Sequence, residues 1–274
     1  MFDKFRKTSY VSFAAAAIGF VAAACPLVIL PFIVSSNGHT SGAHIVVDAA
    51  ISQTRDAHPL SAAANTDNSA KMLPRVRVAY DASVLRALKT MRLSLDHFGL
   101  WIDQHPGSAI AQIRYMPPAM QQRVASTALF IVKSNRKISP KTAWREASAL
   151  VYYSYKHDVP PALLAALARV ESTFDPDAVS SKGASGVMQV MWKFHKDFLN
   201  SKGIYAASAS NPLSDPEKAI EAGCLVLTRY LKTYGSLQKA IARYYGANSE
   251  SYNKKVHKNI ANILNHHEKM TKEK

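Results

Sequence analysis

The chain has 274 residues, of which 48% are hydrophobic and 19% are charged, and its formal net charge is +15. This length allows one or two domains of ordinary size. The hydrophobic share excludes a wholly disordered chain, and the small charged share argues against a long solvated coiled coil. The positive excess predicts an acidic partner, and charge alone leaves nucleic acid, anionic lipid and anionic cell-wall polymer open.

A long apolar segment follows a basic N-terminus. Residues 1–9 contain Lys4, Arg6 and Lys7, and residues 10–34 form a run of 25 residues without a charged side chain. A helix needs about 20 apolar residues to cross a bilayer, whereas the apolar core of a cleaved signal peptide has about 7–15. We therefore expect 10–34 to be a single transmembrane signal anchor with a cytoplasmic N-terminus. The alternative is a signal that is cleaved, which would release the chain.

Two segments without recognisable chemistry come next. Residues 35–74 are rich in Ser, Ala, Asn, Asp and His and lack sustained periodicity, which predicts a flexible linker. Residues 75–138 carry apolar side chains such as Val84, Leu88 and Met91 at helical spacing, which predicts a helical region of unknown role. Packing is the simplest role for this region, and a docking surface for a partner is the alternative.

Helix signals become sharper from Ser139 onward. Ser139 is a plausible N-cap before Pro140 at the first helical position, and Asp215 before Pro216 repeats this arrangement. Gly235 is placed to end the second of these helices. Because no segment alternates convincingly with period two, we predict an all-α (mainly α) fold for the domain at 139–260, followed by a basic tail at 261–274.

Glu171 is the candidate catalytic residue. It follows Val170 on a predicted helix, with Leu167 and Ala168 as its neighbours one turn earlier. Apolar surroundings and the negative end of the helix dipole both raise the pKa of a carboxyl group, as a general acid near neutral pH requires. Periodicity alone also allows a simpler interpretation, in which the glutamate is exposed to water at the helix rim.

The residues around Glu171 form a long motif with fixed spacing. Residues 171–180 read ESTFDPDAVS, and residues 183–191 read GASGVMQVM. The two runs resemble the signature of the soluble lytic transglycosylase (SLT) domain, a goose-type lysozyme-like family that cleaves peptidoglycan. The resemblance covers about residues 139–257. It continues through an N-P…D…I…G…YL pattern at 211–231, AIARYYG at 240–246 and Y-x-x-K-V at 252–256.

The resemblance implies a lysozyme-like helical domain and a single catalytic acid, Glu171. We expect no cofactor, and no metal site, because the histidines lack a ligand cluster with matching cysteines or acids. The resemblance also implies substrate-binding residues along a sugar-binding groove, and these are Ser172, Ser180, Gly186, Gln189, Met191, Tyr244 and Tyr245. Two departures from the family pattern bear on this groove. Tyr245 stands where the family has asparagine, and Trp192, followed by His195, stands where it has proline. We expect Asp175 to brace the loop that starts with Pro176 rather than act in the chemistry.

The same resemblance implies cleavage of the MurNAc–GlcNAc β-1,4 bond by one carboxyl group, where ordinary glycosidases use two. Glu171 would protonate the leaving glycosidic oxygen while the substrate's own N-acetyl group stabilises the positive charge that develops on the sugar. As a carboxylate it would then accept the proton of the MurNAc 6-hydroxyl, which attacks to form 1,6-anhydro-MurNAc.

The sequence keeps other functions open. A muramidase of the same fold would hydrolyse the same bond with a second carboxylate that positions water. A non-catalytic or accessory protein would bind peptidoglycan inside an envelope-spanning secretion or cell-wall assembly.

Nucleic-acid binding is suggested by charge alone, and we expect none because no binding motif is present. The basic excess is also spread along the chain, since residues 1–140 contain 15 basic and 7 acidic residues and residues 141–274 contain 19 and 12. We expect peptidoglycan glycan strands and the bacterial inner membrane as partners, with the catalytic domain in the periplasm.

Overall fold

The computed structural model describes residues 78–272, so the predicted anchor at 10–34 and the linker at 35–74 lie outside the described residues. Within the described range the chain forms nine α-helices, one 3-10 helix (Ala109–Tyr115) and a small antiparallel sheet of β1 (Ala184–Ser185) and β2 (Val190–Met191). The helices are α1 (Ala82–Thr90), α2 (Leu95–Asp103), α3 (Pro118–Ser134), α4 (Pro140–Lys156), α5 (Pro161–Ser172), α6 (Trp192–Asn200), α7 (Pro216–Tyr234), α8 (Leu237–Tyr245) and α9 (Glu250–Lys272). The predicted mainly α class is confirmed. No helix in 78–272 is both long enough and apolar enough to span a membrane.

The predicted helix boundaries carry the expected caps. Ser139 Oγ accepts a hydrogen bond from Thr142 N at 3.1 Å at the start of α4. Asp215 Oδ1 accepts one from Lys218 N at 3.0 Å at the start of α7. Gly235 follows α7 at a φ of 61°, a left-handed conformation that glycine adopts without a steric penalty. Local cap chemistry therefore sets where these two helices begin and where α7 ends.

The described part of the predicted helical region, residues 78–138, contributes to the same hydrophobic core as the predicted catalytic domain. Val124 of α3 and Trp144 of α4 are both fully buried in it. The carboxylate of Glu217, at the start of α7, accepts a hydrogen bond from Ala109 N in the 3-10 helix. Packing, the simpler of the two roles predicted for this region, is therefore observed.

The C-terminal residues differ from the predicted basic tail. Helix α9 runs without interruption past residue 260, because Ile260 and Ile263 are buried at helical spacing. Farther along α9, His267 Nδ1 lies 2.9 Å from Ser126 Oγ in α3. The segment up to Lys272 is therefore part of a helix that packs on the region before the predicted domain.

Glu146 of α4 places a carboxyl group inside the core. The residue is 0% exposed, and neither carboxyl oxygen has a hydrogen-bond partner among residues 78–272. Burial, followed by the charge of Asp175, raises the pKa of Glu146 well above its ordinary value, and Arg145 opposes this shift only in part. The carboxyl group therefore stays neutral in the folded protein at pH values where it ionises in the unfolded chain.

We expect Glu146→Gln to stabilise the fold increasingly as the pH rises. The unfolded chain releases the Glu146 proton above the ordinary pKa of 4.5. The wild type therefore loses stability from that pH upward, until the pH reaches the folded-state pKa, by up to about 1.4 kcal/mol per pH unit. Glutamine has a similar shape and no proton to release. Urea unfolding at pH 5 and pH 7 measures the difference in free energy of unfolding, and an equal difference at both pH values would contradict this explanation.

Candidate active site

Glu171 lies in the last turn of α5, one residue before the helix ends. It is partly buried, and its Oε1 accepts a short hydrogen bond from the hydroxyl group of Tyr252 in α9. Burial raises the pKa of Glu171, and the hydrogen bond from Tyr252 lowers it because the bond stabilises the carboxylate. The net direction is upward, as the apolar neighbours predict, and the alternative of a fully exposed rim glutamate does not hold.

The backbone directly after Glu171 is constrained by residues from outside α5. Thr173 and Phe174 have φ values of 55° and 63°, a conformation that non-glycine residues adopt uncommonly. Phe174 is fully buried, and its ring meets that of Phe130 in α3 edge-on, with 6.3 Å between the centroids. Asn135 Nδ2 donates a hydrogen bond to Thr173 O at 3.0 Å. The region before the predicted domain thus holds the turn that ends the Glu171 helix.

Ser172 and Asp175 stabilise the same turn. Ser172 Oγ donates a hydrogen bond to Val187 O at 2.7 Å and accepts one from Asp175 N at 3.1 Å. Asp175 Oδ1 accepts a hydrogen bond from Asp177 N at 2.9 Å, so Asp175 braces the loop as predicted. The hydroxyl group of Ser172, a predicted substrate-binding residue, ties the end of α5 to the segment before β2.

Ser180 and Gly186 shape the segment that carries the two strands. Ser180 Oγ accepts a hydrogen bond from Ala184 N at 3.0 Å, which closes the loop before β1. Gly186 is buried at a φ of 73°, and a Cβ atom at this position would lie 2.2 Å from Leu213 O. The close approach at Gly186 is therefore to the backbone that leads into α7.

Residues of these segments and of the neighbouring helices line two adjoining cavities. The smaller has a volume of about 310 Å³ and is lined by Glu171 and Tyr252. The larger has a volume of about 580 Å³, and its lining includes the predicted residues Gln189, Met191 and Tyr244. Tyr245 lines both cavities, so the two adjoin at this residue. Five of the eight predicted site residues therefore meet around the two cavities, and the other three lie in the supporting turn and loop.

Tyrosine side chains form the junction between the cavities. The ring of Tyr245 stacks on that of Tyr252, with 4.2 Å between the centroids and 20° between the planes. Tyr245 remains 49% exposed, so it presents an aromatic face to solvent at this junction. The hydroxyl group of Tyr244 donates a hydrogen bond to Met188 O at 2.9 Å, which fixes α8 against the segment before β2.

Tyr252 contacts Glu171 but is not among the site residues that the sequence predicts. Its contact with Glu171 joins residues 81 positions apart, and helical periodicity does not indicate which distant helices meet. The only signal in the sequence is the Y-x-x-K-V pattern at 252–256, which belongs to the resemblance but does not reveal the role of its tyrosine.

Glu171 is the only acidic residue that lines either cavity among residues 78–272. A glycosidase with two carboxyl groups places them about 5–10 Å apart across the scissile bond. The linings therefore present one acid–base group rather than a pair. The same part of the chain contains no cluster of three or more His, Cys, Asp or Glu side chains that could hold a metal ion.

Part of the chain is similar in sequence to known proteins. The family model described as "Transglycosylase SLT domain" matches residues 149–265. A membrane-bound lytic murein transglycosylase C from Edwardsiella ictaluri is 38% identical over 94 residues, which cover 34% of this chain and 26% of that protein. The protein of the same name from Yersinia pestis is 37% identical over 100 residues, which cover 36% and 28%. The matched segment spans about a quarter of the length of these relatives.

Two solved structures are more distantly similar. The 70 kDa soluble lytic transglycosylase SLT70 from Escherichia coli matches with a TM-score of 0.37 and 14% identity, over 82% of this chain and 41% of that one. An inactive mutant of lytic transglycosylase Slt from Pseudomonas aeruginosa matches with a TM-score of 0.35 and 15% identity, over 70% and 46%. The assignment of the domain rests on the sequence matches alone. Residues 149–265, which include Glu171 and the other predicted site residues, are a transglycosylase SLT domain.

Proposed function

We propose that the chain is a membrane-anchored peptidoglycan lytic transglycosylase, which cleaves the MurNAc–GlcNAc β-1,4 bond and forms 1,6-anhydro-MurNAc. The setting of Glu171 supports this most strongly. It is a partly buried carboxyl group with a raised pKa, and no other acid among the described residues lines the two cavities. The SLT match at 149–265 and the names of the relatives supply the substrate class.

In the first step Glu171 acts as the general acid. Because burial raises its pKa, the carboxyl group keeps its proton closer to neutral pH than an exposed glutamate does. It gives this proton to the glycosidic oxygen as the bond from C1 of MurNAc breaks, and GlcNAc leaves with the new hydroxyl group. The N-acetyl oxygen of the substrate shares the positive charge at C1, in place of a second carboxylate.

In the second step the Glu171 carboxylate acts as the general base. The hydrogen bond from Tyr252 stabilises this ionised form between the two steps. The carboxylate accepts the proton of the MurNAc 6-hydroxyl, whose oxygen attacks C1 and closes the anhydro ring. The proton is thereby returned to Glu171, and no water is consumed.

The sugar-binding residues in this proposal line the larger cavity and its junction with the Glu171 cavity. They are Gln189, Met191, Tyr244 and Tyr245. Ser172, Ser180 and Gly186 act on the same groove by holding the turn after Glu171 and the segment before β2.

The anchor in this proposal is the segment at 10–34. Its 25 uncharged residues behind a basic flank support it, as do the relatives named membrane-bound. The catalytic domain then lies on the periplasmic side of the inner membrane, a placement that also suits work within an envelope-spanning assembly. Alkaline extraction of membranes tests the anchor, since an anchored chain stays in the pellet until detergent is added and a cleaved chain is recovered in solution.

Mass analysis of the soluble products from purified sacculi tests the activity. A transglycosylase releases muropeptides that end in 1,6-anhydro-MurNAc, whereas a muramidase releases reducing MurNAc, which is heavier by one water. If reducing MurNAc ends are the sole product, the chain is a muramidase and the proposed transglycosylase is wrong. Bound protein without any soluble product would replace it with an accessory peptidoglycan-binding role.

Tyr252→Phe is expected to move the basic limb of the pH–rate profile to higher pH. The substitution removes the hydrogen bond that lowers the pKa of Glu171, so the general acid keeps its proton to higher pH. The measurement is kcat/KM on solubilised glycan strands from pH 4 to pH 8. Tyr245→Phe is the control, because it leaves the hydrogen bond between Tyr252 and Glu171 in place. A basic limb that does not move in Tyr252→Phe would contradict the role of this hydrogen bond.

A further inference from the structure

Two arginines line the larger cavity, beside the one that contains Glu171. Arg229 lies in α7 and Arg243 in α8, and both side chains are exposed to solvent at this cavity. Neither forms a salt bridge with a carboxylate in the described part of the chain. The part of the lining that the structure describes also contains no acidic residue. Two cations without a compensating charge therefore face one open cavity.

Neighbouring aromatic side chains contact both arginines. The guanidinium carbon of Arg229 lies 5.1 Å from the ring centroid of Phe198 in α6. The hydroxyl group of Tyr230 contacts Arg243 and lies 3.5 Å from His195 Nε2. These contacts place Arg229 beside α6 and link Arg243 to His195 through Tyr230.

His195 adds a neutral polar group to the lining of the same cavity. Its Nδ1 atom is buried and has no hydrogen-bond partner within residues 78–272. Burial, and then the charges of Arg229 and Arg243, lower the pKa of His195, so the imidazole is neutral at neutral pH. The positive charge of the arginine wall, defined as Arg229, Arg243 and His195, therefore comes from its two guanidinium groups.

The chemistry of this wall fits a carboxylate. Guanidinium groups recognise carboxylates through paired, charge-assisted hydrogen bonds, which fix both position and orientation. In peptidoglycan the sugars that carry peptides are uncharged, and the free carboxylates belong to the peptide stems on MurNAc. An arginine wall that binds these carboxylates would thus recognise the peptide stem rather than the glycan strand.

We propose that the arginine wall binds a carboxylate of the peptide stem, and this inference rests on the proposed transglycosylase function. Tyr245 lines both cavities, so a stem on a sugar bound near Glu171 lies next to the cavity that the arginines line. The enzyme then selects glycan strands whose stems carry free carboxylates.

Peptide-bearing glycan strands in two forms test the inference. In one form the stem carboxyl groups are free, and in the other they are converted to primary amides with carbodiimide and ammonia. The full wild-type chain is expected to show a kcat/KM about tenfold higher on the free-carboxyl strands. The double variant Arg229→Gln/Arg243→Gln is expected to lose this preference, through a roughly tenfold fall on the free-carboxyl strands and no change on the amidated ones.

Lys218→Gln is the matched control. It removes an exposed positive charge from α7, but Lys218 lies at the start of the helix and lines neither cavity, so the preference is expected to stay. Because both arginines are exposed, the double variant is expected to unfold at the wild-type temperature. The single variants Arg229→Gln and Arg243→Gln provide a second measurement of the preference.

The possible outcomes separate the inference from the function on which it rests. Equal wild-type rates on the two strands, or an equal fall on both in the arginine variants, would overturn carboxylate binding and leave the transglycosylase in place. A wild type that releases no anhydro product from either strand would overturn the transglycosylase itself.

Discussion

Glu171→Gln is expected to slow the release of anhydro-muropeptides from purified sacculi by about a thousandfold or more. Glutamine keeps the shape of the side chain beside Tyr252, but it can neither protonate the glycosidic oxygen nor accept a proton from the 6-hydroxyl. Because one carboxyl group serves both steps, a single substitution removes the general acid and the general base together.

The same substitution is expected to leave the fold at least as stable as the wild type at neutral pH. Burial raises the pKa of Glu171 above 4.5, so the wild type loses stability as the pH rises from 4.5 to the folded-state value, and glutamine avoids this loss. Asp177→Asn is the control for activity, since Asp177 is an exposed neighbouring acid outside both cavity linings. A Glu171→Gln protein as active as Asp177→Asn would remove Glu171 from the mechanism.

Gly186→Ala is expected to destabilise the fold by about 3 kcal/mol or more, from two causes that act together. The φ of 73° disfavours any residue with a Cβ atom, and that atom would lie 2.2 Å from Leu213 O. The Leu213 backbone cannot easily withdraw, because Leu213 N donates a hydrogen bond to Ser185 Oγ at 3.0 Å. The substitution therefore strains the junction between the strand segment and the start of α7.

Gly183→Ala separates the two causes. Gly183 has a similar φ of 82°, but a Cβ atom there would meet nothing within 4 Å. Gly183→Ala is therefore expected to lower the free energy of unfolding by only about 1–2 kcal/mol, which is the penalty of the left-handed conformation. Urea unfolding of both variants, followed by circular dichroism, measures the difference. Equal losses would show that the overlap at Gly186 is relieved without strain.

The sequence predicts those helices whose ends carry local chemistry. Ser139, Asp215 and Gly235 act within a few residues of themselves, so their spacing is enough to place α4 and α7. Helix α6 has no such signal, since no side chain caps its start and Leu199 is its only buried residue. The continuation of α9 is missed for a related reason: its buried face is narrow, and its other residues are polar or charged.

The residues of the candidate site also fall into two groups, those that a local motif identifies and those that only the packing of distant helices brings together. Glu171, Gln189 and Met191 belong to one contiguous motif, so a resemblance over 20 or so residues identifies them together. The contact between Tyr252 and Glu171 depends instead on how α9 packs against α5. That packing is set by the whole core rather than by any local pattern, which is why the partner of the candidate acid emerges only from the structure.

Reaction of wild type and Glu171→Gln with purified sacculi in oxygen-18 water tests the catalytic role of Glu171 most directly. Intramolecular attack by the 6-hydroxyl predicts anhydro-muropeptides that contain no oxygen-18, formed rapidly by the wild type and not by Glu171→Gln. One oxygen-18 atom at each new reducing end, or unlabelled anhydro product from Glu171→Gln at the wild-type rate, would contradict this mechanism.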